Sequence, residues 1–351
     1  MTAYLIITVD YEIFGNGTGC FDRCVTAPAE RMLQIANHFG TPLTFFVEAL
    51  ELISMEKYGL AEVELARLQL SQAALDGHDA QLHLHPQWEN AVLTSQKKWL
   101  LDLAVWRMGD LSYEASLRLL KMGKLWLENL LKNVLPDYQC IAFRAGGWCI
   151  QPSNHVIKGL IDIGFRVDST VAPGLQNTTR GEWSNFKKAP RKSYWKTEND
   201  VCCDTGSGVW EVPIATGRIK KWEHLLSIRK SRSAGHNGLA SGCQGNYQGS
   251  GSRFQSTLGK IGKIIQLGKV MLDLSTMPVA VLIDVTQQWV KHYDKNLPIP
   301  IVAISHTKNF TTASADNMSK YLEWAKKEGF VFSTYGRWLN AIDGERNGIN
   351  G

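Results

Sequence analysis

Short apolar runs of strand length alternate with helix-period segments along most of this chain. The first run, Leu5–Asp10, is nearly continuous, which is typical of a strand that is buried on both faces. A helix is expected over Pro28–Phe39, because Pro28 suits a first helical position and Gly40 suits a C-terminal cap. Repeated strand–helix alternation predicts an α/β fold with a mainly parallel sheet, either open or closed into a barrel.

Further segments continue the same alternation. Two more helices are predicted over Tyr113–Val134 and Pro152–Ile163. The remaining strand candidates are seven runs: Pro42–Val47, Asp79–His85, Cys140–Arg144, Phe165–Asp168, Val209–Ile214, Ile301–His306 and Phe330–Ser333. With 351 residues, 44% of them apolar, the chain has enough apolar material for one large domain or two ordinary ones.

One block, Lys187–Lys269, departs from this alternation. It holds 15 Lys/Arg against 5 Asp/Glu, a local charge of +10 in a chain whose net charge is only +5. Its segment Ser231–Ser252 is rich in Gly and Ser and poor in apolar residues, so a mobile loop is expected there. We therefore predict a single domain over residues 1–351 with a basic, partly flexible insertion at 187–269.

The same block suggests a partner. Trp222, Leu225, Leu226 and Ile228 interleave with its densest basic residues, which are Arg218, Lys220, Lys221, Arg229, Lys230 and Arg232. A short helix with one apolar face and basic flanks could contact an anionic membrane surface or hold a substrate diphosphate. The alternative is a solvated insertion whose apolar face packs on the domain. The small net charge argues against a nucleic-acid partner.

The compartment is predicted from what the sequence lacks. The N-terminal residues show neither the basic region nor the cleavage site of a secretory signal, and no apolar run approaches a membrane span. Seven cysteines without repeated spacing favour reduced thiols over a disulfide framework. We therefore expect a cytoplasmic protein.

Two constellations offer ligands for a metal ion. Asp10 and Glu12 end the first strand on one face, and His83 and His85 share a face of another strand. Glu12, His83 and His85 would make the three-ligand set of a catalytic zinc and leave Asp10 as a base. The alternatives are strand-end acids in solvent and histidines that bind backbone groups.

Two further residues end predicted strands. Arg144 precedes two glycines and could brace a carboxylate. His306 ends the strand Ile301–His306 and could act as a general acid near neutral pH. Judged alone, Arg144 is better explained by an ordinary turn with a surface arginine. His306 alone is equally consistent with a satisfied core or rim histidine.

In their order along the chain, these elements resemble the polysaccharide deacetylases of carbohydrate esterase family 4, the NodB-homology group. The resemblance covers roughly residues 4–170 and 296–340. The matching segments are Ile7–Glu12, Thr41–Val47, Gly77–His83, Phe143–Gly147, Phe165–Ser169 and Ile304–His306.

The resemblance implies a distorted (β/α)7-type barrel, a divalent metal with zinc as the expected ion, and hydrolysis of an acetyl group on a sugar. It implies Asp10 as catalytic base, His83 as the first metal histidine, Arg144 as the residue that orients the base, and His306 as catalytic acid. Trp148 and Asp168 are assigned to substrate binding, Trp148 as a ring that could stack on a sugar.

Two positions depart from the family pattern. Tyr11 stands where the common motif has its second aspartate, and Glu12 would then replace that ligand. Gln87 stands where the second histidine usually lies, so the ligand role of His85 rests on strand geometry.

The sequence thus predicts a metal-dependent deacetylase of an N-acetylated or O-acetylated sugar in surface polysaccharide biosynthesis. A cytoplasmic address would suit a lipid-linked or nucleotide-linked sugar substrate. The alternatives are a hydrolase of another non-peptide C–N bond and an inert carbohydrate-binding protein on the same fold.

Overall fold

The structure is a computed structural model that describes residues 2–179, 182–219, 268–293 and 298–349. Its strands, in chain order, are β1 (Ala3–Tyr11), β2 (Leu43–Glu48), β3 (Asp79–Leu84), β4 (Val92–Leu93), β5 (Trp99–Leu100), β6 (Ala142–Ala145), β7 (Val167–Asp168), β8 (Gln176–Thr178), β9 (Trp183–Asn185), β10 (Trp195–Thr197), β11 (Val209–Glu211), β12 (Thr216–Arg218), β13 (Lys269–Met271), β14 (Ile299–His306) and β15 (Val331–Phe332). Its α-helices are α1 (Ala27–Phe39), α2 (Ala49–Lys57), α3 (Glu62–Leu75), α4 (Tyr113–Leu131), α5 (Asn154–Asp162), α6 (Val279–His292), α7 (Thr312–Lys327) and α8 (Tyr335–Ile349).

A nine-stranded sheet organises the molecule. Its strand order is β10-β11-β7-β6-β3-β2-β1-β14, and β15 pairs with β1. Every pairing in it is parallel except that of β10 with β11. The sheet curls into a half-barrel, and parallel bridges join Ile214 to Val302 and Asp273 to Ile304. The predicted α/β class and distorted barrel are confirmed.

The first strand shows why its apolar run is continuous. Leu5, Ile6, Ile7 and Val9 are fully buried, although successive side chains of a strand point to opposite faces. Both faces of β1 are therefore covered, as is usual for parallel strands between helices. The central strands of the sheet thus lie within the hydrophobic core, and their carboxyl ends approach one another at one edge.

Local signals set the helix boundaries near β1 and β2. Helix α1 begins one residue before Pro28 and ends at Phe39. The next residue, Gly40, caps the helix with a left-handed φ of 67°. That conformation favours glycine, because other residues meet a steric penalty there. The turn brings the chain into β2 within three residues, which positions the end of β2 beside β1.

The predicted insertion 187–269 is described only in part. Residues 187–219 contribute β10 and β11 to the main sheet and β12 to a two-stranded sheet with β13. The predicted basic segment from Lys220 to Arg232 and the Gly/Ser-rich loop lie outside the described residues, and only Arg218 of the six named cations lies within them. Among the described helices, none combines the length and the apolar character that crossing a membrane requires.

Candidate active site

Ionisable side chains stand at the carboxyl ends of the parallel strands. The strand register places Asp10 opposite His306, and it places His83 between Glu48 and Arg144. The strand-end residues, in sheet order from β11 to β14, are Glu211, Asp168, Arg144, His83, Glu48, Asp10 and His306. Barrel and open α/β proteins place their sites at this edge, so the sheet geometry directs these groups into one layer.

Four of the side chains near this edge form a compact buried group. Glu12, Glu48, His83 and His85 each present one donor atom, and these atoms all lie within 4.8 Å of one another. Each of the four residues is at most 3% exposed. The group contains the three ligands predicted from the sequence, together with Glu48. We refer to these four residues as the metal-ligand group.

His83 is held with a free ring nitrogen toward this group. Its Nδ1–H donates to the carbonyl oxygen of Arg144 at 2.9 Å, which fixes the tautomer. Its Nε2 is buried and has no hydrogen-bond partner among the described residues, and it lies 3.6 Å from Glu12 Oε2. An imidazole nitrogen in this state is ready to bind a metal ion.

His85 faces the group through Nδ1. This atom lies 2.8 Å from Glu48 Oε2 and 3.1 Å from Glu12 Oε2. The face of the ring packs on Gly146, where a Cβ atom would come within 2.4 Å of the ring. Glycine is therefore required at 146 for the ring to lie in this orientation.

Each glutamate is anchored by one oxygen and presents the other to the histidines. Lys308 Nζ donates to Glu12 Oε1 at 2.6 Å, and the amide of Leu50 donates to Glu48 Oε1 at 3.1 Å. Burial favours the protonated form of Glu12, but Lys308 and His85 outweigh it and hold its pKa well below the usual value. Burial raises the pKa of Glu48 to about 7, although His85 opposes that shift.

The spacing of these donor atoms fits a first-row metal ion. Donors about 2.0–2.1 Å from a tetrahedral ion lie roughly 3.3 Å apart. The distances of 3.6 Å from His83 Nε2 and 3.1 Å from His85 Nδ1 to Glu12 Oε2 bracket this value. The donor set of two imidazoles and carboxylates suits a divalent ion, so this buried His/Glu group could hold one.

Asp10, Arg144 and His306 form a second cluster beside the first. Arg144 Nη1 donates to Asp10 Oδ1 at 2.6 Å, and His306 Nε2 lies 3.4 Å from Asp10 Oδ2. Burial works to raise the pKa of Asp10, but the charge of Arg144, with smaller contributions from His83 and His306, holds it below its usual value. Asp10 is therefore ionised at neutral pH and has one oxygen facing His306.

Arg144 is itself fully constrained. Its Nε donates to the Ser169 carbonyl at 3.0 Å, one Nη donates to Thr8 Oγ1 at 3.0 Å, and its guanidinium lies 4.1 Å from the centre of the Phe46 ring. Asp10, Glu12 and His306 also present donor atoms within 4.8 Å of one another. A cation there would meet the Arg144 guanidinium, so electrostatics favours a proton-transfer pair at Asp10 and His306 over a second metal site.

Trp148 lies at the rim of this cluster. Its ring meets that of His306 edge to face, with centroids 6.2 Å apart. Its φ of 59° is in the left-handed region, which is rare for a bulky residue and stores strain. The strained backbone holds the half-buried indole against His306.

Asp168, the other residue predicted to bind substrate, is paired with a second buried carboxyl group. It is fully buried opposite Glu211 in the register of β7 and β11. Burial raises the pKa of both carboxyls, and their mutual repulsion raises that of Glu211 further. The structure thus places Asp168 in a buried carboxyl pair with Glu211.

Three site residues were missed by the sequence reasoning. Glu48 lies one residue beyond the matched segment that ends at Val47, and Lys308 lies two residues beyond His306. Glu211 lies inside the predicted strand Val209–Ile214. The signal that could have found Glu48 and Glu211 is an ionisable residue that ends an apolar parallel strand.

Comparisons with known proteins bear on the fold. No protein-family model matches the sequence, and no curated protein matches it. A Mycobacterium smegmatis protein described as a polysaccharide deacetylase superimposes with a TM-score of 0.52 at 13% identity, over 98% of this chain and 91% of that chain.

Two further solved structures are more distant. The polysaccharide deacetylase of Bacillus cereus gives a TM-score of 0.38 at 12% identity, over 95% of this chain and 92% of that chain. A Bacillus anthracis pseudoenzyme of carbohydrate esterase family 4 gives 0.39 at 10% identity, over 96% and 66%. The likeness to the Mycobacterium smegmatis protein carries the assignment, and it confirms the resemblance at the level of the fold. This chain has the fold of the carbohydrate esterase family 4 polysaccharide deacetylases.

Proposed function

We propose that this protein is a metal-dependent hydrolase that removes an acetyl group from an N-acetylated or O-acetylated sugar. The observation that supports the proposal is the juxtaposition of the metal-ligand group with an ionised Asp10 and with His306. A binding module has no need for both a base and an acid beside such a group. The fold is consistent with this chemistry.

Asp10 is the proposed general base. Arg144 occupies its Oδ1, so its Oδ2 is the oxygen that accepts a proton from the attacking water. The bonds of Arg144 to Thr8 and Ser169 fix the guanidinium, and this in turn fixes the direction of the base. Arg144 is thus a positioning residue in this proposal.

His306 is the proposed general acid. Its Nε2 lies near Asp10 Oδ2, and its side chain is 13% exposed, which lets a leaving group approach. It would give a proton to the departing amine or alcohol of the sugar. Glu12, His83 and His85 would hold a divalent ion, which would supply Lewis-acid polarisation of the acyl carbonyl and a more acidic water.

The proposal of a sugar substrate is supported by an aromatic residue at the rim of the site. Trp148 places a half-buried indole beside His306, and aromatic rings can stack on sugar rings. A lipid-linked or nucleotide-linked sugar remains our proposed form of the substrate, and zinc is the ion that the three-ligand set predicts. Contact of the basic segment with an anionic membrane also remains a proposal, because that segment lies outside the described residues.

Acetate release tests the proposal. Purified protein would be incubated with zinc, manganese or cobalt and a panel of N-acetylated and O-acetylated sugars, with non-sugar amides alongside. We expect acetate from at least one sugar, loss of release with a chelator, and no release by Asp10→Asn. Cleavage of non-sugar amides alone would indicate another C–N hydrolase. Sugar binding without release by the metal-loaded protein would indicate an inert binding protein.

A further inference from the structure

We propose that Glu48 is a fourth protein ligand, and that the site therefore prefers an ion that accepts six ligands, such as Mn²⁺, over tetrahedral Zn²⁺. This inference rests on the proposed function, because it assumes that the group holds a catalytic ion. Glu48 is completely buried at the end of β2, and its Oε2 belongs to the metal-ligand group.

The anchoring of Glu48 is the first argument. Glu48 is also the N-cap of α2, and its Oε1 accepts the amide N–H of Leu50 at 3.1 Å. That contact occupies one carboxylate oxygen and directs Oε2 toward the histidines. Glu12 is arranged in the same way, with Oε1 on Lys308 and Oε2 facing inward. Two carboxylates that are held alike, at the ends of neighbouring strands, indicate two equivalent single-oxygen ligands.

The orientation of His85 is the second argument. Glu48 could instead be an outer partner that accepts from Nδ1–H while Nε2 binds the ion. However, Gly146 lies against the face of the ring, where a Cβ atom would come within 2.4 Å, and this close packing fixes the ring in the observed orientation. Nδ1 is the nitrogen that faces both Glu12 and Glu48, and an ion bound to Nδ1 would lie beside Glu48 Oε2.

A third argument comes from His83. Its Nε2 is buried, lacks a hydrogen-bond partner among the described residues, and lies 3.6 Å from Glu12 Oε2. A proton shared by Glu48 and His85 would leave His83 Nε2 without a partner. An ion bound by the metal-ligand group would satisfy this nitrogen as well.

The number of ligands then decides the class of ion. Catalytic zinc typically takes three protein ligands and keeps its fourth position for water or substrate. Four protein ligands would close a tetrahedral ion. A six-coordinate ion would keep two open positions, and the mixed imidazole–carboxylate set suits Mn²⁺, Fe²⁺ or Co²⁺.

Absorption of the cobalt-loaded protein and manganese binding test this inference. Four-coordinate Co²⁺ absorbs strongly in its d–d bands because it has no centre of symmetry, whereas six-coordinate Co²⁺ absorbs weakly. We expect weak bands in the wild type and stronger bands in Glu48→Gln. We also expect Mn²⁺ to bind Glu48→Gln on the order of 10–100-fold more weakly, with a smaller loss for Zn²⁺.

Glu51→Gln is the matched control. Glu51 is a second buried glutamate on α2, but it accepts the amide of Ile13 and is not in the metal-ligand group. Equal loss of Mn²⁺ affinity in both variants, or no change in Glu48→Gln, would overturn the proposal. Strong tetrahedral bands in the wild type would overturn it even if the variant failed to fold. A wild-type protein that binds none of these ions would instead contradict the proposed function.

Discussion

At the scale of single residues, two acids that lie two positions apart at the end of β1 have different partners. Glu12 points to the histidines and Asp10 points to Arg144 and His306, although both extend from the same strand end. The partners therefore support the proposed roles, which are a metal ligand for Glu12 and a base for Asp10. A substitution of one acid should therefore remove its role and leave the role of the other acid in place.

Asp10→Asn should abolish turnover and leave the bound ion in place. The amide has nearly the same shape but cannot accept the proton, so we expect kcat to fall by about 10²–10⁴-fold. Metal analysis and steady-state kinetics on the same preparation check this, with surface-exposed Asp162→Asn as the control. Retained turnover would remove Asp10 as the base, and loss of the metal would make it a ligand.

Gly146→Ala should weaken metal binding through His85. The added Cβ would lie 2.4 Å from the imidazole, so the ring must shift and Nδ1 must leave the group. We expect metal affinity to fall on the order of 10–100-fold, as for other losses of ligand orientation. Gly336→Ala is the control, because its Cβ meets only an ordinary contact at 3.8 Å. Unchanged affinity in Gly146→Ala would show that His85 does not hold the ion as we describe.

At the scale of elements, the sequence predicted the helices and strands whose apolar residues follow a local pattern. The predicted strand Leu5–Asp10 is observed as Ala3–Tyr11, and the predicted helix Tyr113–Val134 is observed as Tyr113–Leu131. Both have continuous or periodic apolar signals. The hairpin of β8 with β9 was not predicted, because its three-residue strands carry no such period.

The site residues also divide into those that a local pattern predicts and those that depend on strand pairing. The i and i+2 alternation of a strand placed His83 and His85 on one face without knowledge of the fold. Glu48 could not be found in this way, because it becomes a neighbour of His83 only when β2 and β3 pair in their observed register. Register between distant strands is a tertiary property, and one sequence does not contain it in local form.

Gly123 controls the contact of α4 with β3. A Cβ there would lie 2.7 Å from Leu82 and 3.0 Å from Leu84, so the helix packs closely on the strand that carries His83. We expect Gly123→Ala to lower the free energy of unfolding by about 1–3 kcal/mol, because overpacking outweighs the gain in helix propensity. Denaturant unfolding, compared with Gly336→Ala, measures this. A more stable Gly123→Ala protein would show that α4 can move outward freely.

His78 should make the fold sensitive to acid. Its Nδ1 accepts the amide of Leu43 at 2.9 Å, and its Nε2–H donates to Asn37, so the ring is neutral and joins β2 to α1. Burial lowers its pKa from 6.5 to about 4, although Asp76 opposes the shift. The unfolded chain then binds a proton more readily, and stability present above pH 6.5 is lost as the pH falls toward 4.

The loss reaches about 3 kcal/mol by pH 4 for a shift of this size. The measurement is the free energy of unfolding against pH for the wild type and for His78→Gln, which keeps an acceptor and a donor but does not titrate in this range. We expect a flatter acid limb in the variant. Exposed His38→Gln should match the wild type, and parallel acid limbs for all three proteins would exclude His78 as the sensor.

At the scale of the whole molecule, metal binding should be linked to folding. The metal-ligand group joins the loop after β1, the end of β2 and the region of β3, and these segments come together only in the native sheet. The unfolded chain therefore has no equivalent site. An ion at 100 times its Kd should raise the free energy of unfolding by about 2.7 kcal/mol. Chelation should reverse this gain, and thermal unfolding with and without ion would measure it. The triple variant Glu12→Ala/His83→Ala/His85→Ala should show neither the gain nor the stoichiometric ion, and an equal gain in that folded variant would place the ion elsewhere.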